Sequence, residues 1–265
     1  MTRPTIDGER VLVGDSVVGA VRPGEPVVVF IHGLAGHHGE WSPVIKRLDK
    51  RVGAVAADLA GHGAHPQQWS ERASYEADVV ALIEASGAGQ VVLVGQSMGG
   101  IVALQVAADR PDLVSALVLV EAGIEMMTTE ALDGLRRWFA SWPDRFVDRE
   151  DAAQFFGPTA PSTPAWIDGL HAGTNGLTAR FDADDLMQCM ATIATSDRGA
   201  VWRSLQMPST LVIGQQGTLA SADVARMQAL RPASVVEVVD NAGHDVHLDR
   251  PGDVAAAIMR GIDLI

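Results

Sequence analysis

Gly95-Gln96-Ser97-Met98-Gly99 sets a serine between two glycines where the apolar run VVLVG gives way to a helical pattern. A strand that turns directly into a helix brings its neighbours close to the serine backbone, and Cβ atoms at 95 and 99 would collide there. Such a turn projects the hydroxyl from the sheet edge and places the free N–H groups of a helix start beneath it. Both effects favour a nucleophile whose attack generates an oxyanion. The alternative is a Gly-rich turn with a helix-capping serine, but the strand-GxSxG-helix context favours the nucleophile. Two backbone donors for an oxyanion are at hand: Met98 N–H directly after the serine, and Leu34 N–H in FIHGLAG, where Gly33 lets the chain bend. His32 in that turn is expected to brace the loop through hydrogen bonds. A serine hydroxyl requires a base, and His244 in NAGHDVHLDRP is the candidate, with Gly243 favouring a tight loop that presents the imidazole. His247 is its competitor. His37, His38, His62 and His65 lack paired ligand spacing on one element, so no zinc site is expected.

These groups need a scaffold that brings distant loops to one rim. PVVVFIHG (26 to 33) is a continuous apolar, β-branched run of the kind buried on both faces of a parallel sheet. VGAVAAD (52 to 58), VVLVG, ALVLVE, STLVIG (209 to 214) and SVVEVVD (234 to 240) repeat the pattern. Helical spacing follows each of the earlier runs: around Trp41 to Leu48, from Glu71 to Ala85, and through Ile101, Leu104 and Ala108 up to Pro111. Two short apolar pieces flank a Gly14-Asp15 turn and predict an opening hairpin. From 122 to about 205 the alternation breaks, with helical patterns, no convincing strand and a Pro/Gly-rich GPTAPSTP. The rhythm resumes with SADVARMQAL and a last helix from Pro251 to Ile262. The expected architecture is α/β: one mostly parallel sheet with helices on both faces, its core formed by 1–121 and 206–265, and a helical cap inserted at 122–205. In open parallel sheets ligands bind beyond the carboxyl ends of the strands, where Ser97 and His244 both fall.

Composition narrows the partners. Lys and Arg total 20 against 33 Asp and Glu, a formal charge of −13, which argues against a nucleic-acid groove or an anionic membrane surface. The lone Cys189 forms no internal disulfide and is expected to be a buried small hydrophobe. MTRPTIDGER has no apolar leader core, and no stretch reaches the roughly 18 apolar residues of a spanning helix, so a soluble, cytoplasmic chain is expected.

HGLAG, DLAGHG, GQSMGG, the insertion and the terminal GHDVH loop occur in the order found in α/β-hydrolases, and the chain resembles that superfamily over nearly its whole length. The resemblance implies about eight strands and a triad acid on the loop after LVIG. Here the sequence departs from the pattern: that carboxylate should fall near Gly217 in GQQGTLAS, and no Asp or Glu is present from 214 through 222. Asp223 arrives late, where capping or first-turn placement is its natural role. Glu121 ends the strand after the nucleophile helix, one strand farther out, from which a long side chain can still reach His244. That arrangement resembles haloalkane dehalogenases and zearalenone lactone hydrolases; dehalogenases use an aspartate nucleophile, so serine points toward ester or lactone cleavage. Asp223, Asp240 and Glu125 remain rivals for the acid.

The expected reaction is acyl transfer by Ser97, His244 and Glu121 through an acyl-enzyme, with no metal or organic cofactor. The insertion is rich in aromatic and Met residues. Most must form its own core, and Trp138, Trp142, Met126 and Met190 are taken as candidates for contact with a hydrophobic small-molecule substrate. Thioester cleavage, C–C bond hydrolysis, hydroxynitrile cleavage, perhydrolysis and a non-catalytic ligand-binding role are compatible with the same sequence.

Overall fold

The computed structural model describes residues 11–13, 18–65 and 75–265; the Gly14-Asp15 turn, the N-terminal ten residues and the start of the helix expected from Glu71 lie outside them. A hairpin of β1 (Val11–Val13) and β2 (Val18–Arg22) leads to β3 (Val27–Ile31), a 3-10 turn (His38–Trp41), α1 (Ser42–Ile45) and β4 (Gly53–Ala57). Then come α2 (Tyr75–Ser86), β5 (Val91–Gln96), α3 (Met98–Asp109) and β6 (Val114–Val120). The eight-stranded sheet has the order β1-β2-β4-β3-β5-β6-β9-β10, closed by β9 (Ser209–Gly214) and β10 (Val235–Val239). Six of these strands form a contiguous parallel block, and β2 joins it antiparallel to β4. α9 (Ser221–Leu230) connects β9 to β10, and α10 (Val246–Asp249) and α11 (Pro251–Ile262) end the chain.

The apolar runs divide by parity, because successive strand residues point to opposite faces. Val29, Ile31, Leu93, Leu117, Leu119 and Leu211 pack against α2 and α3 with Trp202 and Met227. Val28, Phe30, Val92, Val94, Val118 and Val120 pack against Trp41, Ile45 and the Val254, Ala257 and Ile258 stripe of α11. Continuous rather than alternating hydrophobicity is thus a consequence of covering both faces.

Residues 121 to 208 connect β6 to its sheet neighbour β9 and contain α4 (Thr129–Ala140), α5 (Arg149–Phe156), α6 (Thr163–Asp168), α7 (Ala183–Ile193) and α8 (Gly199–Ser204). Thr128, Asp148 and Asp182 cap three of these helices by accepting backbone N–H groups. The expectation of no strand here needs correction: β7 (His171–Gly173) and β8 (Gly176–Thr178) form a separate antiparallel pair. Three-residue strands are too short to show a period of two. Trp142 sits among Trp138, Phe146, Phe156, Trp166 and Phe181, with ring centroids 5.0 to 6.2 Å apart. The two stems of the insertion are joined by Met127 N–H to Ala194 O (2.9 Å), by Arg198 N–H to Ile124 O (2.8 Å), and by Arg226, which bridges Glu125 and Asp197.

The β5–α3 corner is packed as its glycines require. A Cβ at Gly95 would lie 2.3 Å from Gly99 O, and one at Gly99 would lie 2.3 Å from His32 O. Both obstacles are backbone and cannot rotate away. Gly99→Ala is therefore expected to lower stability by about 1–3 kcal/mol, measured as a lower urea midpoint at unchanged m.

Candidate active site

Ser97 lies between β5 and α3 with φ 50° and ψ −117°, a conformation that L-residues adopt rarely and that tight functional turns retain. Its N–H continues the sheet ladder to Val120 O at 3.0 Å, and its C=O accepts from Gly100 and Ile101. The residue is held from both sides. Met98 is the first residue of α3, so its N–H has no acceptor within the helix. Leu34, half-buried in the loop after β3, packs its side chain against the main core and against Phe139, Leu186 and Met187 of the insertion.

Glu121 is the second strained residue of the rim, with φ 48° where β6 ends. Its N–H extends the β6–β9 ladder to Val212 O at 2.9 Å, and its side chain is fully buried. The carboxylate accepts Gly214 N–H at Oε1 (2.9 Å) and Thr218 N–H at Oε2 (2.8 Å). Its Oε2 is 3.3 Å from His244 Nδ1. Burial opposes the charge, but the hydrogen bonds from His244, Thr218 and Gly214 and the His244 charge hold Glu121 below the usual carboxylate range. A Cβ added at Gly217 would meet Glu121 Oε1 at 2.0 Å. The carboxylate of residue 121 thus fills the space that a side chain at 217 would take, the position where the sequence pattern leads one to look for an acid.

The rival residues are elsewhere. Asp223 is in the first turn of α9, Asp240 is exposed after β10, and Glu125 pairs with Arg226. His247 is buried with its ring centroid 4.7 Å from that of Trp41 and its Nε2 3.5 Å from Glu40 Oε2. Sequence reasoning missed three neighbours. Thr218 Oγ1 lies 2.9 Å from His244 Nδ1. Gln96 donates from Nε2 to His244 O at 3.3 Å, while its side chain covers Gly33. Trp166 of α6 donates to Asp245 Oδ2 at 3.2 Å, tying the insertion to the histidine loop. Thr218 sits in the acid-free GQQGTLAS stretch and Gln96 inside GxSxG; polar side chains beside the expected acid and nucleophile were the only available signal.

The two histidine-rich loops brace one another. His32 Nδ1 lies 2.7 Å from Gly33 O and Nε2 accepts Leu59 N–H at 3.0 Å, and burial drives its pKa down to about 3. His32 is thus a neutral strut, as expected. Asp58 accepts His38 N–H (2.7 Å), His38 Nδ1 (2.9 Å) and Ala64 N–H (2.7 Å). Against the cost of burial, these contacts hold it far below the usual carboxylate range. His37 Nδ1 accepts Gly39 N–H, which leaves Nε2 to donate to Ala165 O of the insertion at 3.1 Å. Of the residues proposed for substrate contact, Trp138 is 36% and Met126 55% exposed, Trp142 lies inside the aromatic group, and Met190 is buried in the main core. Two grooves of about 610 Å³ flank the loops, and Arg180 lines both; neither is lined by Ser97, Glu121 or His244.

The alpha/beta hydrolase fold family model matches residues 26–251, and the chain belongs to that family. It is 29% identical to a 2-(acetamidomethylene)succinate hydrolase of Mesorhizobium japonicum, over 90% of this chain and 88% of that one. It is 30% identical to a pimeloyl-acyl-carrier-protein methyl ester esterase of Xanthomonas campestris, over 89% and 94%. A crystal structure of E-2-(acetamidomethylene)succinate hydrolase superposes with a TM-score of 0.86 at 26% identity, covering 96% and 98% of the two chains. The relatives are hydrolases, and hydrolysis is the class of reaction this kinship supports. Among the described residues, no helix is long and apolar enough to cross a membrane.

Two outcomes follow from the packing. Gly217→Ala should push the Glu121 carboxylate off its donors and slow fluorophosphonate labelling of Ser97 by on the order of 10²-fold, with the fold retained by circular dichroism. Glu40 is the second case: burial first, then Asp245 and Asp58, raise its pKa from 4.5 to about 7, with His37 opposing. The folded state therefore keeps a proton that the unfolded chain releases earlier, so this group lowers stability as pH rises from 4.5 to about 7. Glu40→Gln should gain stability relative to wild type across that window, read from urea midpoints at successive pH values.

Proposed function

We propose that the protein is a serine hydrolase that cleaves a carboxylic ester or lactone of a hydrophobic small molecule, with Ser97 as nucleophile, His244 as base and Glu121 as the acid that orients it. The observation that carries this reading is the buried Glu121 carboxylate, 3.3 Å from His244 Nδ1, on the same sheet rim as a serine in a strained strand-to-helix turn. Ser97 Oγ attacks the carbonyl carbon as its proton passes to His244 Nε2. The carbonyl oxygen, now negative, is received by the N–H groups of Leu34 and Met98. Collapse of the tetrahedral adduct breaks the acyl–oxygen bond, and His244 returns the proton to the departing alcohol. A water then loses a proton to His244 and attacks the acyl-serine; as the Oγ–acyl bond breaks, His244 returns that proton to Ser97 Oγ, which frees the acid and restores the hydroxyl and the neutral ring. Glu121 stays ionised throughout and stabilises the imidazolium. The 122–205 insertion acts as a cap over the strand ends. Trp138 and Met126 offer it exposed apolar surface, while Trp142 lies in its aromatic group and Met190 in the main core.

One observation favours a second reading, a small substrate bearing a carboxylate. Arg180 donates from Nε to Leu170 O at 3.1 Å and lines the grooves on either side, one of which runs along His37 and His38. The relative named for 2-(acetamidomethylene)succinate makes that compound a substrate to try.

The test is an activity screen with aryl esters, lactones, thioesters and 2-(acetamidomethylene)succinate, using Ser97→Ala as the blank. Ester or lactone turnover that vanishes in Ser97→Ala and falls by about 10³-fold or more in His244→Ala supports the reading. Turnover surviving in Ser97→Ala overturns it. Glu121→Gln should lose most activity and Asp223→Asn almost none; the reverse pattern would assign the acid to Asp223. For an anionic substrate, Arg180→Ala should raise KM with kcat little changed.

A further inference from the structure

We propose that Thr218 is a positioning residue of this site: its hydroxyl accepts the His244 Nδ1–H, donates to Glu121, and so leaves Nε2 as the basic nitrogen. The proposal rests on the Ser97-His244-Glu121 reading and adds the group that sets the polarity of its hydrogen bonds. Thr218 Oγ1 is 2.9 Å from His244 Nδ1 and 3.3 Å from Glu121 Oε2. The same ring nitrogen is 3.3 Å from Oε2, so the hydroxyl is its nearer partner. The three atoms form a closed triangle, and only some proton arrangements satisfy it.

The direction is fixed at the carboxylate. Glu121 accepts two backbone N–H groups, at 2.9 Å and 2.8 Å, which suits an ionised carboxylate that can only accept. The Thr218 hydroxyl has one proton, and the acceptor at Oε2 draws it. A lone pair of Oγ1 then faces the imidazole, so the proton in that 2.9 Å contact belongs to Nδ1. The neutral ring holds its other lone pair at Nε2, the nitrogen required to take the Ser97 proton. The opposite polarity, with the hydroxyl donating to Nδ1, would leave Oγ1 and Oε2 facing each other at 3.3 Å with no proton between them. No proton crosses Thr218 during the reaction. When Nε2 gains the serine proton, the Nδ1–H stays in place, and the hydroxyl and carboxylate share the strengthened bond to the cation.

Thr218 is exposed, so water competes for its hydroxyl. Two features hold it nonetheless. Its own N–H is bonded to Glu121 Oε2, which anchors the backbone, and its β-branch restricts χ1. Gly217, the preceding residue, lets the peptide approach the carboxylate without a clash.

The experiment compares wild type with Thr218→Val and Thr218→Ser through kcat, KM, the pH profile of kcat/KM, and the ¹⁵N shifts of the His244 ring. Thr218→Val should lower kcat by about tenfold at unchanged KM and move the acidic limb to lower pH because the imidazolium loses an acceptor, while the ring stays protonated at Nδ1 against Glu121. Thr218→Ser should restore both toward wild type. A Val variant indistinguishable from wild type in kcat and pH limb overturns the proposal. So does a wild-type ring protonated at Nε2, a measurement that stands even if the Val variant fails to fold. Fluorophosphonate labelling separates this from the parent reading: labelling of Ser97 that His244→Ala abolishes and Thr218→Val leaves at the wild-type rate sinks the Thr218 role alone. An unlabelled wild-type Ser97 sinks both.

Discussion

A fully buried carboxylate can exist only where donors replace the water it has lost, and the rim of this sheet is organised around that requirement at Glu121. One backbone N–H from the last residue of β9, another from the turn that follows it, a threonine hydroxyl and an imidazole converge on its two oxygens. The space they share exists because residue 217 has no Cβ. The left-handed backbone at Glu121 ends β6 while its N–H still bonds to the neighbouring strand. Strand end, turn and histidine loop thereby become one unit, and the strain is offset by the ladder beneath it.

The Ser97 side is held by a different device, close backbone packing. Gly95 and Gly99 bring α3 against the end of β3, which sets the loop carrying Leu34 beside the start of the helix. Gln96, buried next to Ser97, covers Gly33 and reaches the carbonyl of His244, so one side chain spans the Ser97 turn, the loop after β3 and the His244 loop. His32 and Asp58 fasten the same loop to the segment after β4. These polar contacts are buried and directional, which gives the loops rigidity that apolar packing alone would not specify.

The insertion is anchored at both its stems and its far side. Arg226 and two backbone hydrogen bonds close the stems, while Trp166–Asp245 and His37–Ala165 tie α6 down to the loops next to His244 and Leu34. Its aromatic residues serve mainly to pack one another. Trp142 belongs to that internal group, whereas Trp138 retains an exposed face.

The sequence by itself determined the α/β alternation and the strand-to-helix turn at Ser97, because each depends on local rules: strand parity, helical period and the exclusion of Cβ atoms from a tight corner. It also nominated Glu121, through the absence of any acid from 214 through 222 and a glutamate at a strand end. Only the tertiary structure decided which groups meet. Thr218 looks like any loop threonine until β6, β9 and the 244 loop are brought together, and the meeting of Glu121 with Gly217 joins residues 96 positions apart in the chain. Gly243 alone favoured His244 over His247 in the sequence, and three residues of spacing do not reveal that one ring turns inward to Trp41 and the other toward the carboxylate. Such pairings are set by the order of strands in the sheet and by the directions in which loops leave it, neither of which a local pattern encodes.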